Sequence, residues 1–209
     1  MRTRMAVIAG MLASILLVSG CKAPPPIVDE VTEYDLPVIS QLEGNQIIYA
    51  LESDGMVYKK QYSYRSQLVV DPDYYQTHEI MRGDVVYFET GASREDIDRM
   101  RNLAYDVVRV IGLPGETVQI KKGQIMIDDR KLGAFYGNES FDLGGKLEPE
   151  KAVNMKKVHL PAGRYFLLGD LWWRNYNNSI QSGPIAKDRI RGKVIGWTGK
   201  IEGVDTGLQ

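Results

Sequence analysis

Cysteine is nearly absent from this 209-residue chain: Cys21 stands alone, so no disulfide can form within one molecule and the fold must rest on its core. Histidine is almost as scarce. His78 and His159 lie far apart, with no cysteine or carboxylate at ligand spacing, which argues against a metal site and against a histidine-based triad. A surplus of one charge is also missing: the formal net charge is −1, and nucleic acid would need a basic face. Internal repeats and low-complexity tracts are absent. Long apolar runs are lacking too, since the most extended, Met5 to Val18, is too short to favour a membrane-spanning helix. No cofactor is expected.

What the N-terminus does contain is a targeting pattern. Arg2 and Arg4 form a positive region, Met5 to Val18 an apolar one, and small residues follow. Leu17-Val-Ser-Gly-Cys21 sets the lone cysteine directly after small residues, a pattern that resembles the lipobox of bacterial lipoproteins. The resemblance implies cleavage of residues 1–20, lipid on Cys21, and a domain held on the extracytoplasmic side of the bacterial cell membrane. The remaining chain would carry 24 basic and 27 acidic residues, a net of −3. Residues 21–44 then read as a tether: Pro24, Pro25 and Pro26 favour an extended backbone, and the acidic stretch to about Ser40 shows no pattern.

From Gln46 the period becomes that of strands. Gln46–Leu51, Ser66–Val70, Asp84–Phe88, Asp106–Ile111, Thr117–Ile120, Gln124–Ile127, Arg164–Leu168 and Gly192–Trp197 are short, rich in β-branched or aromatic residues, and bounded by turn formers. Lys121-Lys-Gly123 makes Thr117 to Asp128 a hairpin. Ser93 with Asp96 resembles a capping box opening a helix whose face carries Ile97, Met100 and Ala104. Residues 133–157 read as a loop or small insertion. The expectation is a mainly β protein of antiparallel sheets over residues 45–200, with one short surface helix and a tail at 201–209.

Arg82-Gly-Asp-Val-Val-Tyr-Phe88, Arg109-Val-Ile-Gly-Leu-Pro-Gly-Glu116, Tyr165-Phe-Leu-Leu-Gly-Asp170 and Gly192-Lys193 fall in the order and approximate spacing of the type I signal peptidases. The resemblance spans roughly residues 45 to 198. In that family a serine in a Ser-Met-x-Pro motif attacks the scissile amide, and a lysine before Arg-Val-Ile-Gly removes its proton. That lysine must be neutral, which an apolar setting promotes by depressing its pKa.

Here Val108 fills the lysine position in a register fixed without gaps by Arg109, Gly112, Leu113, Pro114, Gly115 and Glu116. Valine accepts no proton. On the serine side, taking Met56 as the motif methionine puts Gly55 at the nucleophile position, with Tyr58 and Lys59 where proline and a hydroxyl residue would follow. Ser53 is a turn residue, or else a nucleophile displaced by two positions, about 7 Å along an extended backbone. Lys59 and Lys60 are the available substitutes for the base, but a solvated lysine stays charged near its ordinary pKa of about 10.4.

Gly169-Asp170 resembles the family's Gly-Asp-Asn motif, and Gly183 to Lys193 its final segment. Between them the family's Asp-Ser-Arg is replaced by Asn178, Ser179 and Ile180, so both members of an ion pair have become neutral together. Trp172 and Trp173 are additions to the pattern, either a lipid or peptide contact or ordinary packing. The resemblance thus implies a catalytically silent relative that binds preproteins, signal peptides or an active signal peptidase. An active serine endopeptidase with a relocated dyad, and an envelope structural or interaction lipoprotein, are the alternatives.

Overall fold

The computed structural model describes residues 23–33, 35–56, 60–98, 103–138, 153–172, 174–175 and 177–201. Its twelve strands in chain order are β1 (Ile27–Val28), β2 (Ile47–Ala50), β3 (Ser66–Asp71), β4 (Val85–Glu89), β5 (Tyr105–Gly112), β6 (Thr117–Lys121), β7 (Gln124–Ile127), β8 (Arg130–Gly133), β9 (Met155–His159), β10 (Arg164–Leu168), β11 (Ile185–Ala186) and β12 (Ile190–Ile201). They form a seven-stranded sheet in the order β11-β10-β5-β4-β12-β3-β2 and a five-stranded sheet in the order β1-β8-β7-β6-β9. Every ladder is antiparallel except β1 with β8.

Strand β5 is central to the larger sheet and buried at every position from Asp106 to Gly112. Its sequence therefore reads as a continuous apolar run with little alternation, the pattern of a strand covered on both faces. Val107 packs with Leu51, Met56, Tyr62 and Val194; Val108 and Val110 pack with Val86, Phe88 and Leu167; Ile111 joins Val118, Ile120, Phe166 and Trp172. The β6–β7 hairpin turns through Lys122 and Gly123, both at positive φ.

The residues that carry the family resemblance are largely braces. Leu113-Pro-Gly-Glu116 closes a turn in which Gly115 has φ 90°, a conformation only glycine adopts at little strain. Glu116 accepts from the Leu113 N–H at 2.7 Å and pairs with Arg82, whose guanidinium also reaches the Ile111 carbonyl. Asp84 accepts from the Met81 N–H and the Tyr75 hydroxyl and meets Lys193 at 2.6 Å. The motif segments so pin β4, β5 and β12 to one another.

Three expectations need correction. First, the helix at Ser93 is present as α2 (Arg94–Asp98), with Ser93 Oγ accepting from the Asp96 N–H at 3.1 Å, but two further short helices, α1 (Tyr74–Thr77) and α3 (Ser179–Ser182), accompany it. Second, the segment after Gly133 is more than a loop, since it carries the start of β9; residues 139–152 and Met100 lie outside the described residues. Third, residues 25–33 and 35–39 are docked rather than slack. The Pro25 and Pro26 carbonyls accept from Arg130 at 2.9 and 3.2 Å, β1 extends the smaller sheet, Asp29 binds Thr32 and Tyr136, and Pro37 and Ile39 exchange backbone hydrogen bonds with Trp197. Proline removes donors but leaves carbonyls, and Arg130 uses them.

Candidate active-site cleft

The chain leaves β2 at Ala50 and turns through Ser53 and Asp54 to Gly55 and Met56. Met56 is wholly buried, and its sulfur accepts from the Asp170 N–H at 3.4 Å. The Gly55 carbonyl accepts from the Leu171 N–H at 2.8 Å. Gly169 must be glycine for this contact, because a Cβ there would stand 2.6 Å from the Gly55 oxygen. The Ser-Met-like turn and the Gly-Asp motif, remote in sequence, are thereby sewn together.

Asp170 faces Arg109. The carboxylate takes Nε and Nη2, each at 2.7 Å, and Nη1 donates to the Gly83 carbonyl at 2.8 Å. Burial opposes the charge on Arg109, but Asp170 outweighs it and holds the guanidinium pKa above its ordinary value. Phe135 and Tyr136 lie 4.9 and 5.2 Å from the guanidinium carbon by ring centroid. A planar fork matched to one carboxylate, with a further donor on a backbone carbonyl, is the arrangement a buried ion pair requires.

The two positions where chemistry is expected are closed. A Cβ on Gly55 would stand 2.6 Å from both Cβ and Nδ2 of Asn175, so a serine side chain has no room there as the loop now lies. Val108 is fully buried among Ile80, Val86, Phe88, Val110, Tyr165, Leu167 and Ile185. These packed neighbours are hydrocarbon apart from the Tyr165 hydroxyl. Lys59 and the Lys60 side chain lie outside the described residues.

A polar cluster that the sequence did not reveal lies beside Gly55. Ser53 Oγ donates to Asp106 Oδ1 at 2.6 Å, the Asn177 and Asn175 amides donate to Oδ2 at 3.0 and 3.4 Å, and the Val107 N–H donates to Oδ1 at 2.8 Å. Asp106 is 1% exposed, and burial pushes its carboxyl above the usual range despite these donors. Ser53 is half-buried. The one available signal was an acidic residue opening an otherwise apolar buried strand.

The substituted Asp-Ser-Arg positions have local duties. Asn178 caps α3, its Oδ1 accepting from the Ile180 N–H at 2.8 Å, and Ser179 Oγ accepts from the Leu167 N–H at 2.9 Å. Ile180 packs against the cluster that holds Trp172, which is itself 3% exposed. Trp172 is therefore core and not a surface contact; Trp173 and Cys21 lie outside the described residues. His78 stacks on Tyr74 and His159 ends β9. Among the described residues no group of His, Cys, Asp or Glu could hold a metal, and no helix is long and apolar enough to cross a membrane.

Of the residues singled out from sequence, Gly55, Met56, Arg109, Gly169 and Asp170 thus meet in one place. Ser179 braces β10 beside it, and Val108 points into a separate apolar cluster from the one holding Met56.

Comparison with known proteins finds signal peptidases. Signal peptidase I T of Bacillus subtilis (strain 168) is 34% identical over 118 residues, 54% of this chain and 54% of that protein. Signal peptidase I of Leptolyngbya laminosa is 31% identical over 132 residues, 62% of this chain and 58% of that protein. The chain thus spans little more than half the length of these curated relatives. A crystal structure of a signal peptidase I from Enterococcus faecalis V583 superposes with a TM-score of 0.42 at 23% identity, covering 56% of this chain and 97% of that one. The family profile described as signal peptidase, peptidase S26, matches residues 47–197, and with most of the chain inside that match the protein belongs to the signal peptidase S26 family.

Proposed function

We propose that this protein is a catalytically silent member of its family, anchored by lipid on Cys21 at the extracytoplasmic face of a bacterial membrane, where it binds signal peptides of preproteins or a partner peptidase. The observation that carries the reading is the double closure of the site. Asn175 fills the space a nucleophile's Cβ would need, and the position of the base carries a valine packed into an apolar cluster. Loss of a general base alone lowers rates by about 10²- to 10⁴-fold, and by more when base and nucleophile act as a unit. Binding needs neither. Strand β2 is an edge of the larger sheet, with Ile47 and Ile48 exposed beside unpaired backbone groups, and an extended peptide can add to such an edge. The test incubates the purified mature chain with synthetic signal peptides: saturable binding without turnover is expected. Specific cleavage abolished by Ser53→Ala would sink the proposal.

One observation favours a second reading, an active serine endopeptidase with a relocated dyad. The Ser53 hydroxyl donates to a carboxylate that Asn177 orients, which is the nucleophile–base–orienter pattern in outline. Fluorophosphonate labelling separates the two. Labelling lost in both Ser53→Ala and Asp106→Asn supports the active reading, and absence of labelling in the parent supports the silent one.

A further inference from the structure

The N-terminal strap fixes how far the folded domain can stand from the position of its anchor. Arg130 clasps the carbonyls of Pro25 and Pro26, and β1 follows immediately in the smaller sheet. Gly133 lies against this strap, where a Cβ would approach the Ile27 oxygen to 3.3 Å. Asp29 then accepts from the Val31 and Thr32 N–H groups and from the Thr32 and Tyr136 hydroxyls. Gly83 is pressed against the same turn so closely that a Cβ would overlap Thr32 Oγ1. Between Cys21 and Pro25 only Lys22, Ala23 and Pro24 intervene. Four peptide units span at most about 14 Å when extended. A bilayer is about 40–45 Å thick with headgroups and about 30 Å without, so each headgroup layer is only some 5–8 Å deep.

Beside this short lead the surface is apolar. Val28 is 56% exposed, Val31 88% and Met81 57%. With Ile27 and Leu113 they line a shallow groove of about 530 Å³ between the strap and the loop before β4. Core packing explains none of the three, and a contiguous exposed apolar patch marks a contact surface. Its charged neighbours fit an interfacial position and not a deep one: Arg82 is paired with Glu116, Asp29 is engaged within the turn, and Glu30 is exposed.

We propose that Val28, Val31 and Met81 form a membrane-facing collar that rests on the bilayer carrying the Cys21 lipid, so that the domain is held in one orientation and not merely leashed. The inference rests on the reading of Cys21 as a lipidated residue. The short lead keeps the collar within reach of the lipid surface, and apolar side chains at headgroup depth gain from leaving water. The seven-stranded sheet's free β2 edge belongs to the other sheet and stays available to an extended peptide.

The test supplies the anchor chemically. The mature chain from Cys21 is coupled through that thiol to a maleimide-headed lipid in phosphatidylcholine vesicles. Methionine oxidation by chloramine-T, a charged oxidant that remains in water, is then followed by mass spectrometry for Met81, for Val31→Met, and for Ile48→Met on the β2 edge. The expected result is several-fold slower oxidation at positions 31 and 81 on coupling, with position 48 unchanged. Equal rates at all three sites, coupled or free, would overturn the collar and leave a freely tumbling domain. Protection at 31 and 81 that rises with protein concentration in the absence of vesicles would also overturn it, and would assign the patch to a second copy of the chain. Lipidation itself is read separately, from the mass of the N-terminal peptide in membrane extracts. An unmodified Cys21 there would remove the anchoring reading while the vesicle result still reported on the collar.

Discussion

Adding one methyl group at Gly55 is the sharpest probe of whether the nucleophile position is filled. In Gly55→Ala the new carbon would stand 2.6 Å from Cβ and Nδ2 of Asn175 and 3.0 Å from its Cγ, well inside the 3.5–4.0 Å at which carbon atoms attract. Gly55 is not among the positive-φ glycines, so alanine meets no backbone strain. Stiffening of the unfolded chain would by itself favour folding by about 0.4–1 kcal/mol. Overpacking costs about 1–3 kcal/mol, so a net loss of about 1–2 kcal/mol is expected. Swinging the Asn175 amide aside would cost its Asp106 contact, and its Cβ is fixed by the backbone. Asn175→Gly removes that carbon, and the double variant should be more stable than the sum of the single changes by at least about 1 kcal/mol. Urea unfolding followed by tryptophan fluorescence measures this, since Trp172 and Trp197 are buried and will report exposure. A Gly55→Ala protein as stable as its parent, with effects additive to Asn175→Gly, would refute the reasoning. For function, Gly55→Ser with Val108→Lys should give no signal-peptide turnover while Asn175 remains.

Asp170→Asn leaves the Arg109 guanidinium buried opposite a neutral amide and should cost about 3–5 kcal/mol in urea unfolding; a loss below about 1 kcal/mol would show the pair to be dispensable. Asp106 gives a pH dependence. Burial lifts its folded pKa above the 3.8 of the unfolded chain, so the fold binds its proton more tightly, and the associated stability is present below 3.8 and lost as pH rises through the folded value. Asp106→Asn abolishes that loss, so the parent's stability relative to the variant should fall over this window and then level; urea midpoints at a series of pH values provide the check. Asp29→Ala removes the acceptor for Thr32 and Tyr136, and limited proteolysis should then cut faster within residues 29–37 while the sheets resist.

Sequence pattern exposed the large sheet well because its strands are long and rich in β-branched residues. β3, β4, β5 and β10 fall within a residue or two of their expected limits. The hairpin of β6 and β7 was legible because Lys122 and Gly123 form a two-residue connection. What escaped detection depends on distant partners. Ile27 and Val28 make a strand only because β8 offers an edge, and nothing in Pro-Pro-Ile-Val says so. The candidate site divides in the same way. Val108 could be placed because the Arg109–Glu116 motif fixes register without a gap, whereas Gly55 follows only from taking Met56 as the motif methionine. The occupation of Gly55's side-chain space by Asn175, and the bond from Ser53 to Asp106 on β5, bring remote segments onto one turn, and spacing along the chain carries no trace of such contacts. Trp172 shows the converse, since an aromatic side chain that suits an interface in sequence is core in the fold.

Arg130 and the Pro25 carbonyl it grips are 105 positions apart, so the strap depends on a long-range contact. Loop closure over that span must await the β6–β7–β8 meander, which assembles from neighbours. The strap is therefore the last of these pieces to lock during folding. A pull on the chain ahead of Pro25 is met by two carbonyl bonds and a two-residue ladder, a small clasp that would open before the longer ladders of either sheet.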